Sequence, residues 1–214
     1  MILIFANGDL PTTKWIVPYL AQAEVVIAAD GGLRHLQTLN HRPDILIGDL
    51  DSIPADILPE LEAAGVTIIS YPRAKDETDL ELALIYAAQA FSGPLLIFGA
   101  SGGRLDQLLA NVFLLAHPAL TGREVTLLTA YQKTWLVRDQ MTVTGRVGDR
   151  ISLLPVGGPV EIERTAGLQW PLADDWLTLG PARGLSNVMT ANEAIIEVRQ
   201  GTLLCVYTAA EWER

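Results

Sequence analysis

The sequence predicts an α/β domain with a mainly parallel sheet, followed by an antiparallel β-sandwich. Three observations lead there. As far as residue 130, short continuous apolar runs alternate with segments of helical periodicity. Past Tyr131 the helical pattern stops, and short β-rich runs follow one another, punctuated by Gly, Pro and Asp. In the first half, the conspicuous polar residues gather where apolar runs end. We therefore expect an α/β domain over residues 1–130 and a β-sandwich over residues 131–214.

The apolar runs of the first half are ILIFA (2–6), EVVIAA (24–29), DILIG (44–48), VTIIS (66–70), PLLIFG (94–99) and EVTLLT (124–129). Apolar runs without alternation suit strands covered on both faces, so five or six parallel strands are expected. The clearest helical spacing lies at 76–91 and 103–116. The second half supplies KTWLVRD, QMTVTG, DRISLLPV, PVEIER, DWLTLG, EAIIEVRQ and GTLLCVYTA. Helix-length periodicity is missing there until the last few residues.

Of the 214 residues, 50% are hydrophobic and 19% charged, enough for a sizeable core and too few charges for a disordered chain. The net charge of −10 argues against non-specific binding to nucleic acid or to an anionic membrane. The single cysteine, Cys205, lies in the apolar run TLLCVY and reads as a core residue. The N-terminal MILIFANGDL lacks a basic lead-in, and its apolar run is too short for a signal peptide or a membrane span. We expect a cytoplasmic protein.

In an open parallel sheet, ligands bind outside the carboxyl ends of the strands. Four motifs converge on that edge. The second run ends in ADGGLR, with Asp30, Gly31, Gly32 and Arg34. The third ends in GDLDS, with Asp49 and Asp51. Read alone, GDLDS leaves a turn, a metal loop and a phosphatase nucleophile open. If the loop stays extended, both carboxylates point the same way and suit Mg²⁺. The fourth run leads into YPRAKDETD, where Asp76 reads as a helix N-cap and Asp76, Asp79, Leu80, Ala83, Leu84 and Ala87 share one helical face. Acids on an inward face need a cation, which Lys75 or a divalent metal supplies. The fifth run ends in GASGGRLDQ, where Gly102 and Gly103 allow close approach to a phosphate and Arg104 and Asp106 start a helix. Neither a Walker A loop nor GxGxxG is present.

In chain order, DGG (30–32), GDLDS (48–52), KDETDLELAL (75–84) and GASGGRLDQLLAN (99–111) resemble the thiamine pyrophosphokinase (thiamine diphosphokinase) family, and GLQWPL (167–172) and GLSN (184–187) add weaker likeness. The resemblance implies an ATP-dependent pyrophosphotransferase that makes thiamine diphosphate and AMP, with Mg²⁺ as cofactor. It implies a homodimer with the thiamine site across the interface. It implies Asp49, Asp51 and Asp79 as metal-associated carboxylates, and Asp76, Arg104 and Asp106 beside them in catalysis. Asp30, Gly31, Gly32, Arg34, Lys75, Gly102, Gly103 and Gln107 fall on the ATP side. Trp170, Ser186 and Asn187 fall on the thiamine side, with Trp170 stacking on the cationic heterocycle. Gln107 stands where many members have His, Trp170 where many bacterial members have Tyr, and Val188 where an acid is frequent. None of the three histidines reads as a general base: His35 and His117 look helical and His41 sits in a loop.

Two other readings use the same residues. In a haloacid-dehalogenase-type phosphatase, Asp49 would be a covalent nucleophile. That motif belongs on the first strand, however, and no later acidic pair follows in the α/β half; Asp174 and Asp175 lie in the β-rich half. A non-catalytic nucleotide- or thiamine-binding module would share every feature except turnover.

Overall fold

The computed structural model describes residues 1–213. The chain divides into two units, one ending at Ala130 and the other beginning at Tyr131.

In the first unit, β1 (Ile2–Phe5), α1 (Val17–Leu20), β2 (Val25–Ala29), α2 (Leu33–Thr38), β3 (Ile45–Gly48) and α3 (Ile57–Ala63) are followed by β4 (Thr67–Ser70), α4 (Asp79–Ala90), β5 (Leu95–Phe98), α5 (Leu105–Phe113) and β6 (Val125–Leu128). The strands run parallel in the order β6-β5-β1-β2-β3-β4. The chain thus builds outward from β1 to β4, then returns to the other side of β1 for β5. That reversal opens a crevice at the carboxyl ends of β1 and β5, where ligands of such sheets bind.

Alternate residues of each strand serve opposite faces. Leu3, Phe5, Val26, Ala28 and Leu46 pack with Leu33 and Leu36 of α2, and with Phe98. On the other face, α4 buries Leu80, Ala83, Leu84 and Ala87 as it packs over β1, β2 and β3. This is the inward face expected from the sequence. The helix start differs: α4 begins at Asp79 and its cap is Thr78, not Asp76. Thr78 Oγ1 accepts from the Glu81 N–H at 3.2 Å, and Glu81 Oε2 accepts from the Thr78 N–H at 3.4 Å. The sequence TDLE spells this reciprocal box. Asp76 lies before the helix and is exposed.

Two smaller expectations also change. Arg104 lies just outside α5, as an N-cap residue with extended backbone (φ −74°, ψ 127°). His117 is not helical: it has φ −59°, ψ 135° between two short 3₁₀ turns, because Pro118 follows and disfavours the helical conformation before it.

In the second unit, β7 (Gln132–Val137), β8 (Gln140–Thr144), β9 (Arg150–Pro155), β10 (Val160–Ala166), β11 (Ala173–Leu177), β12 (Asn187–Val188), β13 (Glu193–Gln200) and β14 (Leu203–Thr208) form two antiparallel layers. One has the order β12-β9-β14-β7 and the other β11-β10-β13-β8. Their inner faces meet in a core that includes Val137, Ile151, Leu153 and Cys205 from one layer and Val143, Ile162, Leu177 and Ile196 from the other. This is the expected sandwich. Burial pushes the Cys205 thiol up to about 12, so it stays protonated and packs as a small hydrophobe. The strand β12 was not anticipated: two residues carry no periodicity. Among the described residues, no helix is long and apolar enough to cross a membrane.

Replacing Thr78 with Ala removes one half of the capping box. Chemical denaturation should show a loss of about 1 kcal/mol for Thr78→Ala, and little change for Asp76→Ala, which caps nothing.

Candidate active site

Three carboxylates meet at the crevice. One oxygen each from Asp30, Asp49 and Asp79 lies within 4.8 Å of the others. Each comes from a different element: Asp30 follows β2, Asp49 follows β3, and Asp79 opens α4. Asp30 is 5% exposed and has φ +43°, a left-handed backbone unusual outside glycine. Gly48 permits the approach: a Cβ there would lie 2.9 Å from Asp30 Cβ and 3.1 Å from Asp79 Oδ1. The glycine between ILI and the acids is thus a condition for the cluster. Gly32 plays a similar part at the neighbouring turn, where a Cβ would come within 1.9 Å of the Phe5 carbonyl oxygen.

Lys75 supplies one compensating charge. Its Nζ lies 3.4 Å from Asp49 Oδ2 and 3.0 Å from Asp79 Oδ1, with only 11% of its side chain exposed. Burial opposes its charge, but Asp79 and then Asp49 outweigh that and raise its pKa. Asp49 is held below the usual carboxylate range, first by the Asp51 backbone N–H that it accepts at 3.2 Å, then, against partial desolvation, by Lys75. The sign follows from linkage. A depressed carboxyl contributes stability above its unfolded value near 3.8, and loses it as pH falls through the folded value.

One ammonium does not balance three carboxylates. Asp30 Oδ1 and Asp79 Oδ1 are buried without a hydrogen bond; the Lys75 contact to the latter is a charge contact outside hydrogen-bond geometry. Buried charged oxygens left in this state are costly. An all-oxygen carboxylate set of this kind fits a hard divalent cation.

Asp51, expected beside Asp49, is not part of this group. Leu50 takes φ +62°, so the loop is not extended, and Asp51 turns outward to Arg73 at 2.9 Å. Asp30 stands in the group instead. The sequence places Asp30 on the ATP side of the same edge, and its burial is the signal a sequence does not carry.

A cavity of about 310 Å³ borders the group at Asp30 and Asp79, and is lined also by Asn7, Asp51, Gly102 and Gln107 among others. Gly31 and Arg34 line an adjoining cavity. Asp76, Gly103, Arg104 and Asp106 are exposed and line neither. Arg104 and Asp106 pair with each other at 2.5 Å, which holds Asp106 below the usual carboxylate range. His35 is buried with Nε2 2.9 Å from the Gly8 carbonyl oxygen, and desolvation lowers its pKa. It braces the loop after β1 and does not face a reacting group.

In the second unit, Trp170 is 57% exposed on the loop before β11. Buried Asn187 holds its backbone: Oδ1 accepts from the Trp170 N–H at 3.0 Å, and Nδ2 donates to the Trp170 carbonyl at 2.6 Å. Ser186 is exposed with φ +54°, its N–H donating to Ser152 Oγ at 3.0 Å.

Comparison with known proteins gives a consistent picture. Residues 17–127 match the family model of the thiamin pyrophosphokinase catalytic domain, and residues 140–203 match that of the thiamin pyrophosphokinase vitamin B1 binding domain. The chain is 26% identical over 207 residues to the thiamine pyrophosphokinase of Bacillus subtilis (strain 168), covering 96% of this chain and 97% of that one. It is 29% identical over 222 residues to thiamine pyrophosphokinase 1 of Arabidopsis thaliana, covering 91% and 81%. Among solved structures, the thiamine pyrophosphokinase of B. subtilis superposes with a TM-score of 0.85 at 24% identity, covering 97% of this chain and 98% of that one. That of Geobacillus thermodenitrificans gives 0.81 at 26%, covering 98% of each.

Lys75→Met removes the cation that favours the charged form of Asp49. In the metal-free protein, carboxyl-carbon NMR should show the Asp49 titration moving upward; an unmoved titration would mean that the Asp51 N–H alone sets it.

Proposed function

The chain belongs to the thiamin pyrophosphokinase family, and on that footing we propose how its own residues carry the family's reaction. ATP gives its pyrophosphoryl group to thiamine, yielding thiamine diphosphate and AMP. The acceptor hydroxyl oxygen attacks the β-phosphorus, the bond from that phosphorus to the α,β-bridging oxygen breaks, and AMP leaves. The observation that carries this reading is the grouping of Asp30, Asp49 and Asp79, with Lys75 against the latter two, at the carboxyl ends of β2 and β3, in a chain whose two halves match the two family models.

Asp30, Asp49 and Asp79 would hold Mg²⁺, with Asp51 at the cavity rim as a further carboxylate. When bound, the ion neutralises charge on the phosphate oxygens during transfer. Lys75 has two roles in this proposal. It keeps the acids together before substrate arrives, and it presents a fixed positive charge to the phosphates. The turns after β2 and β5, carrying Gly31, Gly32 and Gly102, bring backbone close to the ATP; Gly103, Arg104 and Asp76 act from the rim. Asp106 is a weak base while Arg104 holds it. Orientation and charge stabilisation therefore do most of the catalytic work.

On the thiamine side, Trp170 offers an exposed aromatic face that suits a cationic ring. Asn187 serves it indirectly, since its amide is committed to the Trp170 backbone. Ser186 is free to meet the pyrimidine. We further propose a homodimer with the thiamine site shared between copies. In support, none of the residues of α5 is buried, and Leu105, Leu109 and Phe113 leave an apolar stripe along it, which a second copy would cover. A cytoplasmic location fits the acidic composition and the lone buried cysteine.

Incubated with Mg²⁺, ATP and thiamine, the protein should release AMP in step with thiamine diphosphate. ADP as the nucleotide product, or turnover without thiamine, would refute the reading. Asp49→Asn and Asp79→Asn should each lower kcat by about 100-fold or more with an unchanged circular dichroism spectrum.

A further inference from the structure

Asp79 stands at the first position of α4, where a helix is least secure. The first N–H groups of a helix have no partner within it, and an end that frays carries its side chains along. A carboxylate held against two others therefore needs its helix start fixed. The Thr78–Glu81 box does part of this, and Thr78 lines the acidic cavity beside Asp79. The box depends on one oxygen of a flexible side chain, Glu81 Oε2, whose contact with the Thr78 N–H is long at 3.4 Å. Glu81 must itself be held in place.

The segment after α5 holds it. His117 Nε2 lies 3.5 Å from Glu81 Oε1, the oxygen that the box leaves over. The other ring nitrogen is committed, since Nδ1 accepts from the Ala119 N–H at 3.1 Å. In a neutral imidazole the proton then sits on Nε2, the nitrogen that faces Glu81. The two side chains are only 26% and 24% exposed, so their contact is less screened than one on an open surface. The same segment grips the far end of the helix. Arg123 Nη1 donates to the carbonyls of Ala88 at 2.7 Å and Phe91 at 2.6 Å, and Nη2 donates to that of Gly93 at 2.7 Å. These carbonyls lie at and just past the end of α4, where a cation is favoured. Residues 117–123 thus tie α4 near both its ends.

We propose that His117 is a positioning residue for the transfer site. It lines neither cavity and acts through Glu81. His117 orients Glu81, Glu81 closes the cap, and the capped turn holds Asp79 against Asp30 and Asp49. This deepens the reaction proposed above and rests on it.

Two variants of the full-length protein separate orientation from folding. His117→Asn keeps an acceptor for the Ala119 N–H, and with it the turn, but is too short to reach Glu81. His117→Gln keeps a donor at the distance of Nε2. Amide exchange in the metal-free protein reads the link without ion or turnover. The Thr78 and Glu81 amides should exchange at least about threefold faster in His117→Asn, while those of Leu84 and Ala87 stay within about twofold. Mn²⁺ uptake should be about tenfold weaker for His117→Asn than for the native protein, and within about twofold of native for His117→Gln. No uptake by the native protein would refute the metal site of the reaction, and the exchange rates would still decide the link from His117 to the cap. Native-like exchange in His117→Asn would overturn the proposal, and so would faster exchange with undiminished uptake. Equal losses in the two variants would also overturn it, because His117 would then serve the turn alone.

Discussion

Asp30, Asp49 and Asp79 repel one another, yet the fold holds an oxygen of each within 4.8 Å of the others. Charges that close, in a crevice shielded from water, interact far more strongly than on an open surface. Three independent elements must therefore be fixed against that repulsion. The parallel sheet does this by ending β2 and β3 side by side, and α4 does it by anchoring Leu80, Ala83, Leu84 and Ala87 under the same strands. Lys75 then relieves part of the charge. Much of the first unit can be understood as the frame for this one electrostatic arrangement.

The same constraint explains local backbone that would otherwise look wasteful. Asp30 and Leu50 both adopt left-handed φ values that cost a non-glycine residue conformational energy. The first turns a buried acid into the crevice. The second turns Asp51 away from the other three acids to the cavity rim, towards Arg73. Gly48 has no side chain because Asp30 and Asp79 occupy the space one would need. Strain and missing side chains cluster where the carboxylates converge, as expected where function opposes stability.

How much of this was legible in the sequence depends on range. The six apolar runs became β1 to β6, because unbroken Ile, Val and Leu stretches have few other uses in a chain of this composition. The sandwich followed from Gly- and Pro-punctuated β-rich runs. Legibility ended where geometry depends on a single dihedral angle. The spacing of Asp49 and Asp51 suggests a matched pair, and only the φ of Leu50 separates them. Asp30 is legible as a polar residue at a strand end but not as a buried acid, because its burial comes from strands distant in sequence. TDLE spells the capping box at Thr78 and Glu81, but Asp76 offers a competing N-cap two residues earlier. Asn187 could not be recognised as the support of Trp170, since its partner lies 17 residues away in chain and contacts only through backbone.

The central claim is that these three carboxylates form one divalent-cation site. Titration with Mn²⁺, followed by paramagnetic resonance of the free ion, tests it without turnover. The account predicts saturable uptake by the native protein and at least about tenfold weaker uptake by Asp30→Asn, whose side chain keeps the shape but loses the charge. Equal uptake by the two proteins would contradict it, because the buried acid of the DGG turn would then take no part in holding the ion.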